Sequence, residues 1–316
     1  MIDVGPLQYD NVCTPIDSTP HVFNDHMGGF STNNQNQLLD LLNRHQLDTA
    51  LDVYSEYIFD STIKEKYNKL NLKFSLPTHV KFGNLDAFYE YTQHPPVNIT
   101  NFICSFNGSG HVGRKLLVSI IKKFGWYNID YISKNFSFTG PALDGHIRDF
   151  VGDDEIFYRK FFTLDDPEFC ASINNFKYTR YNHLHNIGIL STKIAKSFLN
   201  IVSETMSTSN YPFYGEKFLY SVVNRGLFLA NGQPGWHKNL EKYYGFKLYT
   251  KIFDYRFDSI LNPVERLLEL ITMISKFSML STADWSDLYL LEQETIEYNY
   301  DHYFSGNYLI KLKQTT

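Results

Sequence analysis

"FLNIVSETMSTSNYPFYGEKFLYSVVNRGLFLANGQPGW", residues 198–236, carries two apolar runs separated by a polar loop and a short apolar stretch headed by charge. The first run, residues 198–204, reads as a buried strand ending in Glu204. A Ser/Thr/Asn loop follows. Residues 216–225 then predict a helix burying Phe218, Leu219, Val222 and Val223, with Gly226 suited to its C-terminal cap. "LFLA" is a second short buried strand, "NGQPG" a turn, and "WHKNLEKYY" a helix ended by Gly245. "FKLY" is expected to be the next strand, and residues 263–280 a long amphipathic helix started by Pro263. Strands and helices alternating in this order imply a parallel sheet covered by helices on both faces.

The same alternation occurs upstream. In "VNITNFICSFNGSGHVGRKLLVSIIKKFGWYNIDYIS", residues 97–133, an apolar strand runs into a glycine loop. Leu116, Leu117, Ile120 and Ile121 follow at helical spacing, Gly125 closes the helix, and "IDYIS" is a strand. Residues 135–185 are loop-rich and read as the boundary region. The expected organisation is an acceptor-side domain over 1–160 and a nucleotide-sugar-binding domain over 161–290. The segment 291–316 is expected to pack back on the first domain. Two such halves imply an α/β protein with two Rossmann-like domains facing a cleft. Leu38, Leu39, Leu41, Leu42 and Leu47 give a further helix-like face near the start.

The chain of 316 residues is 43% hydrophobic, enough to bury cores for two domains. A net charge of -5 argues against a basic field over the whole protein, leaving only local patches for nucleic acid. Cys13, Cys104 and Cys170 are odd in number and far apart, with no zinc spacing, which suits a reducing compartment. The first residues lack the pattern of a signal peptide, and no apolar run has the length of a membrane span. A cytoplasmic protein without stable membrane insertion is expected. The abundance of Phe, Tyr, Asn, Ile and Lys suits an A/T-rich genome, with a phage among the candidates.

Glu216-Lys217 sits beyond the carboxyl end of the strand that ends at Glu204, at the first turn of a helix. Ligands of open α/β sheets bind beyond the carboxyl ends of strands, and helix N-termini favour phosphate. Lys217 would add a full charge against a diphosphate, Glu216 could accept hydrogen bonds from a ribose, and Glu204 would be a second acid in the crevice. The plainer alternative is a first-turn acid countering the helix dipole beside a solvated lysine. Gly232 and Gly235 form a second turn after the adjacent strand, where another helix N-terminus would face the cleft.

Gly108, Gly110 and Gly113 make a formal GxGxxG between a strand and a helix. A dinucleotide fingerprint also wants an acid at the end of the next strand, and here that strand runs into Lys134 and Asn135. The loop therefore reads either as a close backbone approach to some ligand, with Arg114 at the helix start, or as a glycine-packed turn. Lys64, Lys66, Lys69, Lys73 and Lys81, interleaved with Tyr67 and Phe74, could meet a nucleic-acid backbone or form a solvated helix face. His183 and His185 lack a third ligand at metal spacing, and no metal is expected. Asp25-His26, in an early glycine-bearing loop, could supply a general base or be a polar turn.

Taken together, Glu204, Glu216-Lys217, Gly232, Gly235, "GFK" at 245–247 and the pair Asp254 and Asp258 resemble the donor-binding domain of GT-B glycosyltransferases of the fucosyltransferase-like kind. The stretch from Arg114 to Ser133 resembles that family's N-domain segment, although "NGSGHVGR" is poorer in basic residues than is usual there. The likeness runs over residues 102–270. It implies transfer of a sugar from a nucleotide-diphosphate donor to a hydroxyl, inverting and without a metal, with no cofactor beyond that co-substrate. By the same resemblance Lys217 would neutralise the leaving diphosphate, helped by helix N-termini, Glu216 would hold the ribose, and Arg114 is a further donor-binding candidate. A base from the first domain, with Asp25 the nominee, would deprotonate the acceptor. The acceptor would be a hydroxymethylated base in phage DNA, flipped out and approached through Lys64, Lys66 and Lys69 near Gly108 and Gly110, or a glycan. The rival readings are an NAD-dependent oxidoreductase using Gly108–Gly113, or a nucleotide-sugar-binding protein without catalysis.

Overall fold

The computed structural model describes residues 22–25, 51–55, 70–74, 98–107, 112–128, 130–134, 190–204, 214–215 and 217–315. The protein is mixed α/β, with two parallel sheets. The first has three strands in chain order: β1 (Val22–Asp25), β2 (Leu51–Ser55) and β3 (Leu70–Phe74). Val22 pairs with Asp52, and Leu51 with Leu70. Two expectations change here. Asp25 is the last residue of β1, in register with Ser55, rather than part of a loop. Lys73 stands in β3, opposite Tyr54, rather than on a helix face, because "LNLKF" alternates with the period of a strand. The helix-like leucines before residue 50, the other lysines of the 62–82 stretch, and His183 and His185 lie outside the described residues.

The second sheet has the order β5-β4-β6-β7. Its strands are β4 (Asn101–Asn107), β5 (Ile132–Lys134), β6 (Ser197–Ser203) and β7 (Phe228–Asn231). Ile103 pairs with Leu199, and Ile201 with Leu229. All seven residues of β6 are buried, as a strand covered on both faces requires. The wholly buried side chains of Leu199 and Ile201 each contribute roughly 1.5–3 kcal/mol through burial. In chain order the strands run second, first, third, fourth across the sheet, so the order reverses between β4 and β6. That reversal is the topological switch point at which open α/β sheets take ligands. The division placed between residues 160 and 161 therefore runs through one sheet, with β4 and β5 before it and β6 and β7 after it.

The connecting helices follow their apolar spacing. α1 (Val112–Lys123) buries Leu116, Leu117, Ile120 and Ile121. It closes in a Schellman turn, with Trp126 N–H on Ile121 O, Gly125 N–H on Lys122 O, and Gly125 at φ 75°. α2 (Lys217–Val223) ends in the same hydrogen-bond pattern, but the left-handed residue is Arg225 at φ 53°, not Gly226. Gly226 is instead set by packing, since a Cβ there would lie 2.7 Å from Ile194. Arg225 keeps its strained backbone because its side chain is used: Nε bonds both carboxylate oxygens of Glu297, and the guanidinium lies 3.5 Å from the Tyr300 ring centre.

The predicted helix after Gly235 is a four-residue α3 (Trp236–Asn239) continued by a π turn, Leu240–Tyr244, ending at Gly245 with φ 79°. A 3-10 turn, Tyr255–Ser259, follows. α4 (Pro263–Ser275) has Pro263 in its first turn and Asn262 as its N-cap, and stops five residues before the expected end. α5 (Thr282–Leu291), α6 (Gln293–Phe304) and α7 (Asn307–Thr315) complete the chain. Among the described residues no helix is long and apolar enough to cross a membrane.

"FKLY" is not a strand. Its backbone is bonded by side chains of α6 in place of a neighbouring strand: Asn299 accepts from Lys247 N–H at 2.8 Å and donates to Lys247 O at 2.9 Å. His302 bonds Tyr244 O, Tyr298 donates to Gly245 O, and Glu292 accepts from Lys251 N–H. The helical segment from residue 291 onward thus packs on α2 and the 244–251 stretch.

Candidate functional site

The carboxyl ends of β4, β6 and β7 converge on a band of buried polar residues. Asn107 donates to Ser105 Oγ, which donates to Ile201 O. Arg114, in the first turn of α1 and 2% exposed, donates from Nε to Ser203 O at 3.2 Å. Asn231 closes the band from the far side, donating to Gly113 O and Ser203 Oγ. Arg114 is thereby held at the last carbonyl of β6, next in the chain to Glu204. This is the switch point.

Glu204, the residue after β6, is wholly buried. Both its carboxylate oxygens accept from Gly215 N–H, each at 3.1 Å. A Cβ at residue 215 would stand 2.7 Å from Oε2, so glycine is what permits the contact. Two residues later α2 begins at Lys217, itself 8% exposed. Tyr214 anchors the same segment, donating its hydroxyl to Trp236 O and packing on Trp236 and Tyr244. Burial foremost, then the negative field of neighbours that include Asp258 and Glu204, raises the Tyr214 hydroxyl well above its ordinary range. Glu216, Gly108 and Gly110 lie outside the described residues, as do Lys64, Lys66 and Lys69, and Asp25 is described by its backbone alone.

The turn holding Gly232 and Gly235 is fastened by Asp258. Gly235 N–H bonds Asp258 O, Trp236 N–H bonds Gln233 O, and the amides of His237 and Lys238 both bond the Asp258 carboxylate. Every amide from 235 to 238 is thus hydrogen-bonded within the fold. Gly232 is set by Trp236, which a Cβ would meet at 2.6 Å, and Gly235 by its φ of 74°. The buried Arg266 guanidinium, lowered to about 10 by burial, donates to Gly232 O and to the carbonyls of Ile260 and Leu261.

Sequence reasoning named Asp258 only through a resemblance; the structure gives it a specific partner. His237 Nε2 accepts from Ala230 N–H, which leaves the ring proton on Nδ1, 2.7 Å from Asp258 Oδ1. Burial alone would raise the Asp258 carboxyl, but His237 and the two amides more than offset it and hold it below the usual carboxylate range. Asp254 is exposed and caps the 3-10 turn through Arg256 N–H. Asn231 and Arg266 were not singled out; the Asn-Gly pair after an apolar run was the available signal for the first.

Compared with family models, curated proteins and solved structures, the chain matches none.

Proposed function

We propose that the protein is a glycosyltransferase that takes its sugar from a nucleotide-diphosphate donor held at the carboxyl edge of the β4–β7 sheet. The observation that supports this reading is that Arg114 bonds Ser203 O at the carboxyl end of β6, beside the switch point where an α/β sheet takes a ligand, and that the next residue, Glu204, holds Gly215 two residues before Lys217. Arg114 and Lys217 supply the positive charge a departing diphosphate needs. Glu216 holds the ribose. The donor fold extends over β4, α1 and β5 as well as β6, α2 and β7, and the β1–β3 sheet belongs to a second Rossmann-like domain across a cleft.

In the transfer, the acceptor hydroxyl gives its proton to a carboxylate, for which Asp25 at the carboxyl end of β1 is the nominee. The acceptor oxygen bonds the sugar's anomeric carbon as the bond from that carbon to the diphosphate breaks with inversion. Because the protein's own cations balance the leaving group, chelation by EDTA should leave the rate unchanged. The acceptor is a hydroxymethylated base in DNA or a glycan hydroxyl, and the reaction takes place in the cytoplasm.

Thermal-shift titration with UDP, GDP, their sugar conjugates and NAD tests this directly, since a ligand selective for the folded state raises the melting temperature. A shift with one nucleoside diphosphate is expected, followed by sugar release from its conjugate. A shift with NAD alone would replace this reading with a dinucleotide enzyme using Gly108–Gly113. Binding without turnover on any acceptor would make the protein a sugar-nucleotide carrier.

A further inference from the structure

Resting on that reading of the site, we propose that Glu204 is a positioning residue: its carboxylate does not touch the donor but clamps Gly215 and so sets the place of Lys217 at the crevice. The geometry supports a clamp. Glu204 is wholly buried, and its two oxygens straddle one amide at equal distances of 3.1 Å. Its own N–H bonds Asn231 O, which ties the clamp to the end of β7. On the other side Gly215 is flanked by Tyr214, fixed to Trp236 O, so the lead-in to α2 is pinned at successive residues. A lysine required to meet a diphosphate gains from such pre-organisation, because its placement need not be won at the moment of binding.

A clamp and a ligand contact respond differently to substitution. Glu204→Gln keeps an oxygen able to accept from Gly215 N–H and removes the charge, whereas Glu204→Ala removes both. Gly215→Ala leaves Glu204 in place but drives a methyl group to 2.7 Å from Oε2, opening the clamp from the opposite side.

The test is the dissociation constant of each variant for the nucleoside diphosphate that shifts the parent protein, measured calorimetrically, with melting temperature recorded beside it. Glu204→Gln should bind within about threefold of the parent, and Glu204→Ala and Gly215→Ala about tenfold or more weaker, as loss of a charge-assisted contact implies. The double variant should be no weaker than the worse single one, because both changes open the same clamp. Equal losses in Glu204→Gln and Glu204→Ala would show the charge acting on the ligand and overturn the clamp while leaving the donor site standing. Undiminished affinity in Glu204→Ala would reduce the contact to a purely structural one and overturn it too. Should Glu204→Ala fail to fold, the Gln and Gly215→Ala variants carry the same comparison. A parent protein that binds none of these nucleotides would remove the donor-site reading and the clamp with it.

Discussion

Two glycine-bearing turns leave the carboxyl edge of the β4–β7 sheet, one reaching α2 through Gly215 and the other reaching α3 through Gly232 and Gly235. Each is fastened by a buried acid from elsewhere in the chain. Asp258 takes the amides of His237 and Lys238 together with the His237 ring, and its backbone oxygen takes Gly235 N–H. Glu204 takes the single amide of Gly215, next to a buried lysine. The Gly232–Gly235 turn is closed upon itself, and its glycines answer to packing and backbone angle. The Gly215 turn is fastened, among its described residues, through Tyr214 and Gly215 just ahead of a cation. Glycine at the edge of a parallel sheet is therefore not by itself a sign of a phosphate cradle; where the amides go decides the matter.

The largest effect is expected when the closed turn is opened. Asp258→Ala leaves the buried His237 amide, the half-buried Lys238 amide and the His237 ring proton without their acceptor, and should lower the unfolding free energy by about 3 kcal/mol, read from urea denaturation. The same group gives an acid signature. Its carboxyl is held below its unfolded value near 3.9, so the folded state takes up this proton less readily than the unfolded one. The stabilisation is complete above that pH and is lost as pH falls through it toward the folded-state pKa. Asp258→Ala should lose this part of the acid dependence; a parent and variant with parallel stability profiles below pH 4 would contradict the assignment. A smaller effect separates packing from binding at the other glycine. Gly235→Ala forces a methyl-bearing residue to φ 74° and should cost about 1–2 kcal/mol, with nucleotide affinity unchanged. The smallest concerns the far end of α2. Arg225→Ala and Arg225→Gly both lose Glu297 and Tyr300, but only glycine relieves the left-handed strain, so the glycine variant should be the more stable by about 1 kcal/mol. Equal stability of the two would show that the strain is not real.

What could be read in the chain beforehand follows the range of the forces involved. β6, α2 and β7 were legible because a strand buried on both faces is an unbroken apolar run and the large apolar residues of α2 recur at helical spacing, though the whole of that helix is buried. Pro263 and Gly125 act through their own backbones and were legible for the same reason. "FKLY" misled, since its hydrogen-bond partner is Asn299, more than fifty residues away on a helix, and an apolar run does not say whether a strand or a row of side chains will receive it. Arg225 misled in another way: next to Gly226, the glycine was the natural left-handed residue, and only the clamp on Glu297 explains the exchange. The joining of β4 to β6 in one sheet across the loop-rich 135–185 stretch is likewise a long-range pairing. At the site, Glu204 and Lys217 were visible by position along the chain, while the role of Glu204 depends on a contact with Gly215 that spacing does not reveal.

The central claim is that the Gly215 turn serves the donor and the Gly235 turn serves the fold. The most direct measurement is calorimetric titration of the nucleoside diphosphate into Lys217→Ala and Gly235→Ala side by side. Lys217→Ala should bind about tenfold or more weakly, and Gly235→Ala within about twofold of the parent, given the usual worth of a charge-assisted hydrogen bond. Unchanged affinity in Lys217→Ala, or a loss confined to Gly235→Ala, would contradict the account and move the ligand to the other turn.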